Sequence, residues 1–161
     1  MVFVTVGHET HGPDGLAVSE EQDIVYVAMP DQFAPPPPII APDGDAWRDP
    51  VGMDTVRLFR FSALTFNAHR IHFDLPYATG VEKYPGLVVH GPMQAMLLMQ
   101  AARDHAAGAQ PVRFRFRGIR PLFHFDGLCL AGWPAADGVQ ALATVIEGGI
   151  TCMQAEIGWQ A

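Results

Sequence analysis

The sequence predicts an α+β domain in which an antiparallel β-sheet wraps around one long central helix. Two observations support this prediction: one long helical pattern over residues 92–107, and four strand-like segments that follow it. Turn signals separate the last three segments, so these form an antiparallel meander. A single long helix followed by such a meander is the arrangement of an α+β domain.

The long helix has a clear start and a clear end. Its apolar residues, Met93, Met96 and Leu97 among them, follow the 3.6-residue period of a helix with one buried face. Pro92 suits the first turn, where its missing N–H costs nothing. Gly108 is a natural stop, because glycine adopts the left-handed conformation that often ends a helix.

The segments around this helix complete the predicted domain. The four strand-like segments after the helix are residues 112–119, 123–133, 139–147 and 150–159. Hairpin turns are predicted at Asp137-Gly138 and Gly148-Gly149. Before the helix, residues 55–63 are apolar and are predicted to form a strand, and residues 67–77 are predicted to form a loop or a short helix.

The N-terminal part of the chain predicts a separate β-hairpin. Residues 2–6 alternate valine with other residues and are predicted to form a strand, and residues 23–29 are predicted to form a second strand. Residues 8–15 between them are rich in glycine and proline and are predicted to form a turn. The predicted hairpin therefore occupies residues 1–29.

A proline-rich segment follows this hairpin. Residues 35–38 are four consecutive prolines, which favour extended polyproline geometry and exclude a helix or a central strand. We interpret residues 30–50 as a semi-rigid linker. The main domain is then predicted to occupy residues 51–161.

Composition excludes several classes of protein. The chain has 161 residues, of which 49% are apolar, so it is not a disordered protein. A formal net charge of −7 argues against a nucleic-acid partner. No apolar run reaches membrane-spanning length, and the opening residues lack the basic flank of a signal peptide. With Cys129 and Cys152 interpreted as buried, reduced thiols, the sequence predicts a soluble, cytoplasmic protein.

Polar residues that can carry protons interrupt the apolar sequence at residues 61–74 and again at residues 84–92. Burying an amide or an imidazole is costly unless it is hydrogen-bonded, so such a cluster is either a satisfied core network or a site. His72 is a candidate general acid or base. Asn67 could orient a water or a substrate carbonyl but cannot take a proton.

The second polar segment ends at the start of the long helix. Gly91 would let a substrate carbonyl approach the backbone N–H closely, and a helix N-terminus stabilises developing negative charge. The alternative is a helix N-terminus that holds no ligand. The pair of His69 and His72 does not match a zinc signature, and no cysteine pair completes a tetrahedral set. We therefore predict no metal.

These two segments closely resemble the MaoC-like hotdog family. The resemblance rests on residues 62–78 and 84–92, with support from Arg120-Pro-Leu-Phe. The most similar branch is that of the type 2 hydroxyacyl-thioester dehydratases and the mesaconyl- and itaconyl-CoA hydratases. The resemblance implies a hotdog fold and reversible addition of water to a 2-enoyl thioester. Coenzyme A or an acyl carrier protein would carry the acyl group as part of the substrate, and no separate cofactor is implied.

The resemblance also implies roles for individual residues. Enoyl-CoA hydratases of this superfamily carry Asp-x-Asn-Pro-x-His, so His72 matches the catalytic histidine, while Asn67 and His69 replace the aspartate and the asparagine. Asn67 would then position the water. The backbone N–H of Gly91 would hold the thioester oxygen, and His90 would shape the approach. The remaining candidates for substrate binding are His69, Arg70, Tyr84, Pro85 and Gly86.

Members of this branch typically carry two hotdog units in one chain. The hairpin over residues 1–29 resembles the tail of a first unit, and we predict that the chain forms a homodimer or higher homo-oligomer through it. An acyl-thioester hydratase or dehydratase is the leading interpretation. The alternatives are a non-catalytic acyl-CoA-binding subunit or truncated half of a double-hotdog enzyme, and a thioesterase on the same fold.

Overall fold

The computed structural model describes residues 1–28 and 31–160. The chain divides into two compact units, Met1–Asp31 and Gln32–Ala161. The smaller unit is an antiparallel hairpin of β1 (Val2–Gly12) and β2 (Gly15–Tyr26).

The hairpin is confirmed, but its strands are longer than the sequence predicts. The predicted turn at residues 8–15 is strand as far as residue 12, and only Pro13 and Asp14 turn. Polar residues lie on both exposed faces of this outer part, so no apolar alternation marks it as strand, while backbone pairing still satisfies its hydrogen bonds. The predicted end of the second strand at Met29 lies outside the described residues.

The larger unit is a five-stranded antiparallel sheet packed on one long helix, α3. Its elements are β3 (Trp47–Val51), α1 (Thr55–Leu64), a 3₁₀ turn (Arg70–His72), α2 (Leu75–Gly80), α3 (Gly91–His105), β4 (Pro111–Gly118), β5 (Leu128–Gly132), β6 (Val139–Ile146) and β7 (Ile150–Trp159). The strand order is β3-β5-β6-β7-β4. α3 packs against β4, β5, β6 and β7, and the core between them includes Leu98, Leu122, Leu142, Met153 and Ile157. The predicted α+β class with one central helix is confirmed.

The helix and the meander lie where the sequence predicts them. α3 differs from the predicted 92–107 by one residue at its start and two at its end, and Gly108 has a φ of +91°. Asp137 and Gly138 both have positive φ, at 50° and 76°, as two-residue turns matching the twist of a hairpin require. The strand predicted over residues 123–133 is shorter, because Asp126 accepts a 2.8 Å hydrogen bond from the Phe123 N–H and closes a turn.

Residues 55–63 form a helix, α1, and the strand prediction there was wrong. Asp54 caps this helix by accepting a 2.7 Å hydrogen bond from the Arg57 N–H. Leu58 and Ser62, four residues apart, are its buried residues. β-branched and aromatic residues such as Val56 and Phe59 favour a strand by propensity, but both are exposed and do not decide the structure.

The segment predicted as a linker contains the start of a strand of the sheet. Trp47–Val51 forms β3, which pairs with β5 from Trp47↔Gly132 to Val51↔Leu128. β3 lies at one end of the strand order, so Pro50 is tolerated there. The four consecutive prolines carry no regular secondary structure.

Gly132 lies directly against the ring of Trp47. A Cβ added at Gly132 would lie 2.3 Å from the Trp47 Cε2 and Cζ2 atoms. We expect Gly132→Ala to lower the free energy of unfolding by about 1–3 kcal/mol, because the rigid indole would have to move. Urea unfolding checks this result, with Gly118→Ala as the control, since a Cβ added at Gly118 would meet nothing within 4 Å. Equal stability of the two variants would contradict the packing argument.

Candidate active site

His72 has one ring nitrogen in a hydrogen bond, and the other has no partner among the residues that the structure describes. It ends the 3₁₀ turn, is only 7% exposed, and its Nδ1 lies 2.7 Å from the Val88 carbonyl oxygen. Because a carbonyl can only accept, Nδ1 carries the proton and Nε2 carries the lone pair. Burial lowers the pKa of His72, and the hydrogen bond to Val88 opposes that shift. A neutral imidazole with a basic Nε2 is therefore the form near neutral pH.

His90 stacks on His72 immediately before α3. The two ring centroids are 3.6 Å apart with an interplanar angle of 18°. His90 is fully buried, and its Nε2 lies 2.8 Å from Ser62 Oγ. Burial, with a smaller contribution from the charge of His72, lowers the pKa of His90 to about 4. His90 therefore stays neutral, and His72 is the member of the pair that can take up a proton.

The N-terminus of α3 is open next to this pair. The first backbone hydrogen bond of the helix runs from the Gln94 N–H to the His90 carbonyl, at 3.1 Å. Within the part of the chain that the structure describes, the Gly91 N–H has no acceptor outside its own helix. A Cβ at Gly91 would have Met153 Cε as its nearest neighbour, at 4.0 Å. The Gly91 N–H is thus available to a partially negative oxygen.

Backbone hydrogen bonds on both sides hold the segment that carries His90. The Val88 N–H donates to the Ile71 carbonyl at 3.0 Å, and the Val89 N–H donates to the Leu122 carbonyl at 2.7 Å. The Val88–Ile71 bond and the His72–Val88 bond both join the 3₁₀ turn that carries His72 to the segment before α3. The position of His72 relative to α3 is therefore fixed by main-chain contacts.

A buried polar pair connects the first turn of α3 to the sheet. Thr144 Oγ1 donates to Gln94 Oε1 at 2.9 Å, and the Gln94 Nε2 lies 3.5 Å from the Val89 carbonyl oxygen. Gln94 is 4% exposed and Thr144 is fully buried. Because buried polar groups are costly when unpaired, this pair holds the start of α3 in place.

A largely apolar pocket of about 310 Å³ has Ser62, the residue that contacts His90, in its wall. Its walls include Phe59, Ser62, Ala63, Phe66, Asn67 and Phe73. The Asn67 N–H donates to the Ser62 carbonyl at 2.9 Å, and Asn67 Oδ1 accepts from the His69 N–H at 2.9 Å. The structure thus brings Asn67 beside Ser62, which contacts His90.

The other two candidates near His72 already have partners. The His69 ring lies edge-on to His72 at 5.7 Å, and its Nε2 donates to Glu82 Oε1 at 2.9 Å. Arg70 donates through Nε and Nη2 to Asp74 Oδ2. These contacts stabilise the loop around His72, and substrate binding by His69 and Arg70 stays a prediction.

The Tyr84-Pro85-Gly86 segment makes packing contacts in this structure. The Tyr84 ring packs on Phe33 and Phe123, with centroid distances of 5.7 and 6.1 Å. A Cβ at Gly86 would lie 2.6 Å from Phe125 Cε1, so only glycine fits. Substrate binding by Tyr84, Pro85 and Gly86 stays a prediction.

Side chains that could bind a metal ion do not form a cluster among the residues that the structure describes. No three or more histidine, cysteine, aspartate or glutamate side chains lie close enough together there to hold a metal ion. None of the helices in that part is long and apolar enough to cross a membrane.

Sequence reasoning missed two residues of this site, Ser62 and Gln94. Ser62 lies in the segment predicted as a strand, so the sequence could not place it on the buried face of a helix beside His90. Gln94 follows the helical period but carries no signal of its own, because its partner Thr144 is 50 residues away along the chain.

One long helix wrapped by an antiparallel sheet defines a hotdog-fold protein, and the buried histidine pair of His72 and His90 marks a candidate site at the N-terminus of α3. The chain belongs to the hydroxyacyl-thioester dehydratase type 2 family, whose model matches residues 1–124. The family resemblance seen in the sequence is therefore confirmed.

Comparisons with curated proteins agree with this family. The chain is 45% identical to mesaconyl-C(4)-CoA hydratase of Chloroflexus aurantiacus, over 92% of this chain and 57% of that protein. It is 40% identical to the mitochondrial hydroxyacyl-thioester dehydratase type 2 of Schizosaccharomyces pombe, over 42% and 23%. The chain thus spans little more than half the length of the Chloroflexus protein.

The solved structures confirm the hotdog fold. A MaoC-like dehydratase from Phytophthora capsici matches 98% of this chain and 58% of its own, with a TM-score of 0.75 and 13% identity. The peroxisomal multifunctional enzyme type 2 of Drosophila melanogaster matches 98% and 30%, with a TM-score of 0.77 and 17% identity. At these identities the likeness concerns the fold.

Proposed function

We propose that this chain catalyses the reversible addition of water to a 2-enoyl thioester of coenzyme A, as a hydro-lyase. The observation that supports this most directly is His72, whose Nδ1 is fixed by Val88, whose Nε2 has no partner within the described residues, and whose ring stacks on His90 at the start of α3. A base and an oxyanion-stabilising donor are the two groups that this reaction needs.

The proposed reaction needs only the thioester, water and groups of this chain. His72 Nε2 takes a proton from water as the water oxygen bonds to C3 of the enoyl group. The electron pair of the C2–C3 double bond moves onto the thioester, and the Gly91 N–H stabilises the charge on its oxygen. The imidazolium then returns the proton to C2. Asn67, which cannot hold a proton, positions the water.

The apolar pocket beside Ser62 would accept the acyl chain. Its walls are mostly phenylalanine and alanine side chains, which suit a hydrocarbon group. The similarity to mesaconyl-C(4)-CoA hydratase supports including short, branched acyl groups among the candidates.

A direct hydration assay tests the proposal. We expect loss of enoyl-thioester absorbance with at least one member of a panel of 2-enoyl-CoAs that includes mesaconyl-CoA. The folded state is checked in parallel by circular dichroism. A folded protein that binds these thioesters but hydrates none of them would contradict the proposal and support a binding subunit.

The N-terminal hairpin supports a further prediction, that the chain forms a homodimer. Phe3 and Tyr26 at the base of the hairpin are 66% and 59% exposed, and open strand edges tend to pair. Light scattering is expected to give twice the 17.5 kDa mass of the chain. Phe3→Asp is expected to shift the protein towards the monomer, and a monomeric wild-type protein would contradict the prediction.

The cysteines fit our predicted location in the cytoplasm. Cys129 and Cys152 are both free, and Cys152 is buried as predicted, whereas Cys129 is only partly buried, so the prediction that it is buried was wrong. Burial raises the pKa of the Cys152 thiol to about 12, so this side chain is an unreactive, protonated thiol. Free thiols are usual in a reducing compartment.

A further inference from the structure

Ser62 has a single hydrogen-bond partner for its side chain, and that partner is His90. Ser62 lies on the buried face of α1 and is 5% exposed. Its Oγ lies 2.8 Å from His90 Nε2, and it has no other partner among residues 1–28 and 31–160. The hydroxyl proton therefore has one acceptor available, which is the lone pair of His90 Nε2.

The position of that proton determines the tautomer of His90. If Ser62 donates to Nε2, a neutral His90 must carry its own proton on Nδ1. The opposite arrangement, in which Nε2–H donates to Oγ, would leave two buried groups without partners, the hydroxyl proton and the Nδ1 lone pair, whereas the Nδ1–H form leaves only the Nδ1–H. Ser62 thus favours the Nδ1–H form.

His90 Nδ1 is itself buried and has no partner within the described part of the chain. In the Nδ1–H form it is a hydrogen-bond donor without an acceptor. Covalent geometry keeps it within a few ångström of the nitrogen of the next residue, Gly91. Two donors without acceptors then lie side by side at the start of α3.

We propose that Ser62 is a positioning residue that holds His90 in the Nδ1–H tautomer, so that this N–H and the Gly91 N–H together receive the thioester oxygen. The proposal rests on the proposed function for the identity of that oxygen. It does not depend on that function for the tautomer, which is a property of the free protein.

The stacked arrangement explains why a neutral donor is needed here. A charged His90 would face His72 at 3.6 Å and would oppose the proton that His72 takes from water. A neutral His90 with its N–H fixed towards the substrate adds a donor without adding a charge. Ser62 fixes this orientation through its hydrogen bond to His90 and does not itself contact the reacting atoms.

The first experiment determines the tautomer directly, by ¹⁵N NMR of histidine-labelled protein without substrate at pH 7. We expect a protonated Nδ1 and an unprotonated Nε2 for His90 in the wild type. In Ser62→Ala we expect the His90 signals to shift towards the Nε2–H form. A protonated Nε2 in the wild type would overturn the proposal, whatever the enzyme does.

The second experiment measures kinetics in matched variants. Ser62→Ala is expected to lower kcat by about 10-fold with KM within about 2-fold, because the lost orientation acts in the transition state. Ser62→Thr keeps a hydroxyl and is expected to recover most of kcat. The control is Thr79→Val, which removes a hydroxyl that only bonds within α2 and is expected to leave kcat unchanged.

A double variant separates positioning from structural support. Asparagine at position 90 places an amide N–H near the Nδ1 position and cannot reach Ser62 in the same way. We therefore expect Ser62→Ala to have no further effect on kcat in a His90→Asn background. An equal loss in both backgrounds would overturn the proposal. A wild type that hydrates no 2-enoyl-CoA would contradict the proposed function, and the NMR result would still decide the tautomer.

Discussion

Replacing His72 with asparagine is expected to lower kcat for hydration of a 2-enoyl-CoA by about 10²–10⁴-fold, the usual contribution of a general acid–base residue. The loss follows from the removal of the only atom that the mechanism uses to move a proton, His72 Nε2. Steady-state kinetics with the best substrate of the panel measures it. KM is expected to change little, because the imidazole acts on water rather than on the thioester.

Asparagine is chosen because it can keep the structural contact of His72. Its amide N–H occupies nearly the position of Nδ1, which donates to the Val88 carbonyl at 2.7 Å. The variant therefore removes the base while it keeps the hydrogen bond that supports the fold. His11→Asn makes the same chemical change in the exposed hairpin of the smaller unit and is expected to keep wild-type kcat.

The pH dependence of kcat/KM gives an independent check on His72. Burial lowers the pKa of His72 below its ordinary value of 6.5, so the basic form persists to lower pH than in a free histidine. Hydration activity is expected to rise with pH through that lowered pKa and then to level off.

Unchanged turnover in His72→Asn would assign the proton transfer to another group.

Much of the fold could be predicted from local patterns. The helix from Gly91 to His105 combines a strong 3.6-residue period with a proline at its start and a glycine beyond its end, and each of these signals acts within a few residues. β7 begins and ends where the sequence predicts, because a glycine pair with positive φ precedes it and buried residues alternate with exposed ones from Met153 to Ile157.

Other parts depend on contacts that the local sequence does not contain. α1 is helical because Asp54 caps it and because Leu58 and Ser62 bury one face, although the propensity of its residues favours a strand. β3 is a strand because β5 is beside it, in a segment whose own composition indicates a linker. Tertiary pairing overrides local preference in both places.

The candidate site also has a part that the sequence predicts and a part that depends on tertiary contacts. The resemblance to the family predicts that His72, Asn67 and the start of α3 lie together. The stacking of His90 on His72 and the bond from Ser62 join residues 18 and 28 positions apart. Their roles depend on a geometry that only the folded chain provides, so the sequence could name the residues of the motif but not the support behind them.

Acidification is expected to destabilise the protein through His90. Its pKa is lowered to about 4 in the folded state, against about 6.5 for a free histidine. Between these two values the unfolded chain binds a proton that the folded chain does not, so the free energy of unfolding falls as the pH falls. The effect is absent above about pH 7 and is complete below about pH 4. A shift of this size corresponds to about 3 kcal/mol at pH 4.

A comparison of the wild type with His90→Asn isolates this contribution. The variant loses the stack on His72 and is expected to be less stable at pH 7, but it has no group at position 90 to titrate. Urea unfolding between pH 7 and pH 4 is therefore expected to show a fall about 3 kcal/mol larger in the wild type than in the variant. The carboxylates titrate in both proteins, so their contribution cancels in the difference. Parallel pH profiles would mean that the pKa of His90 is the same in the folded and unfolded protein, and would contradict the claim that burial keeps this imidazole neutral at acidic pH.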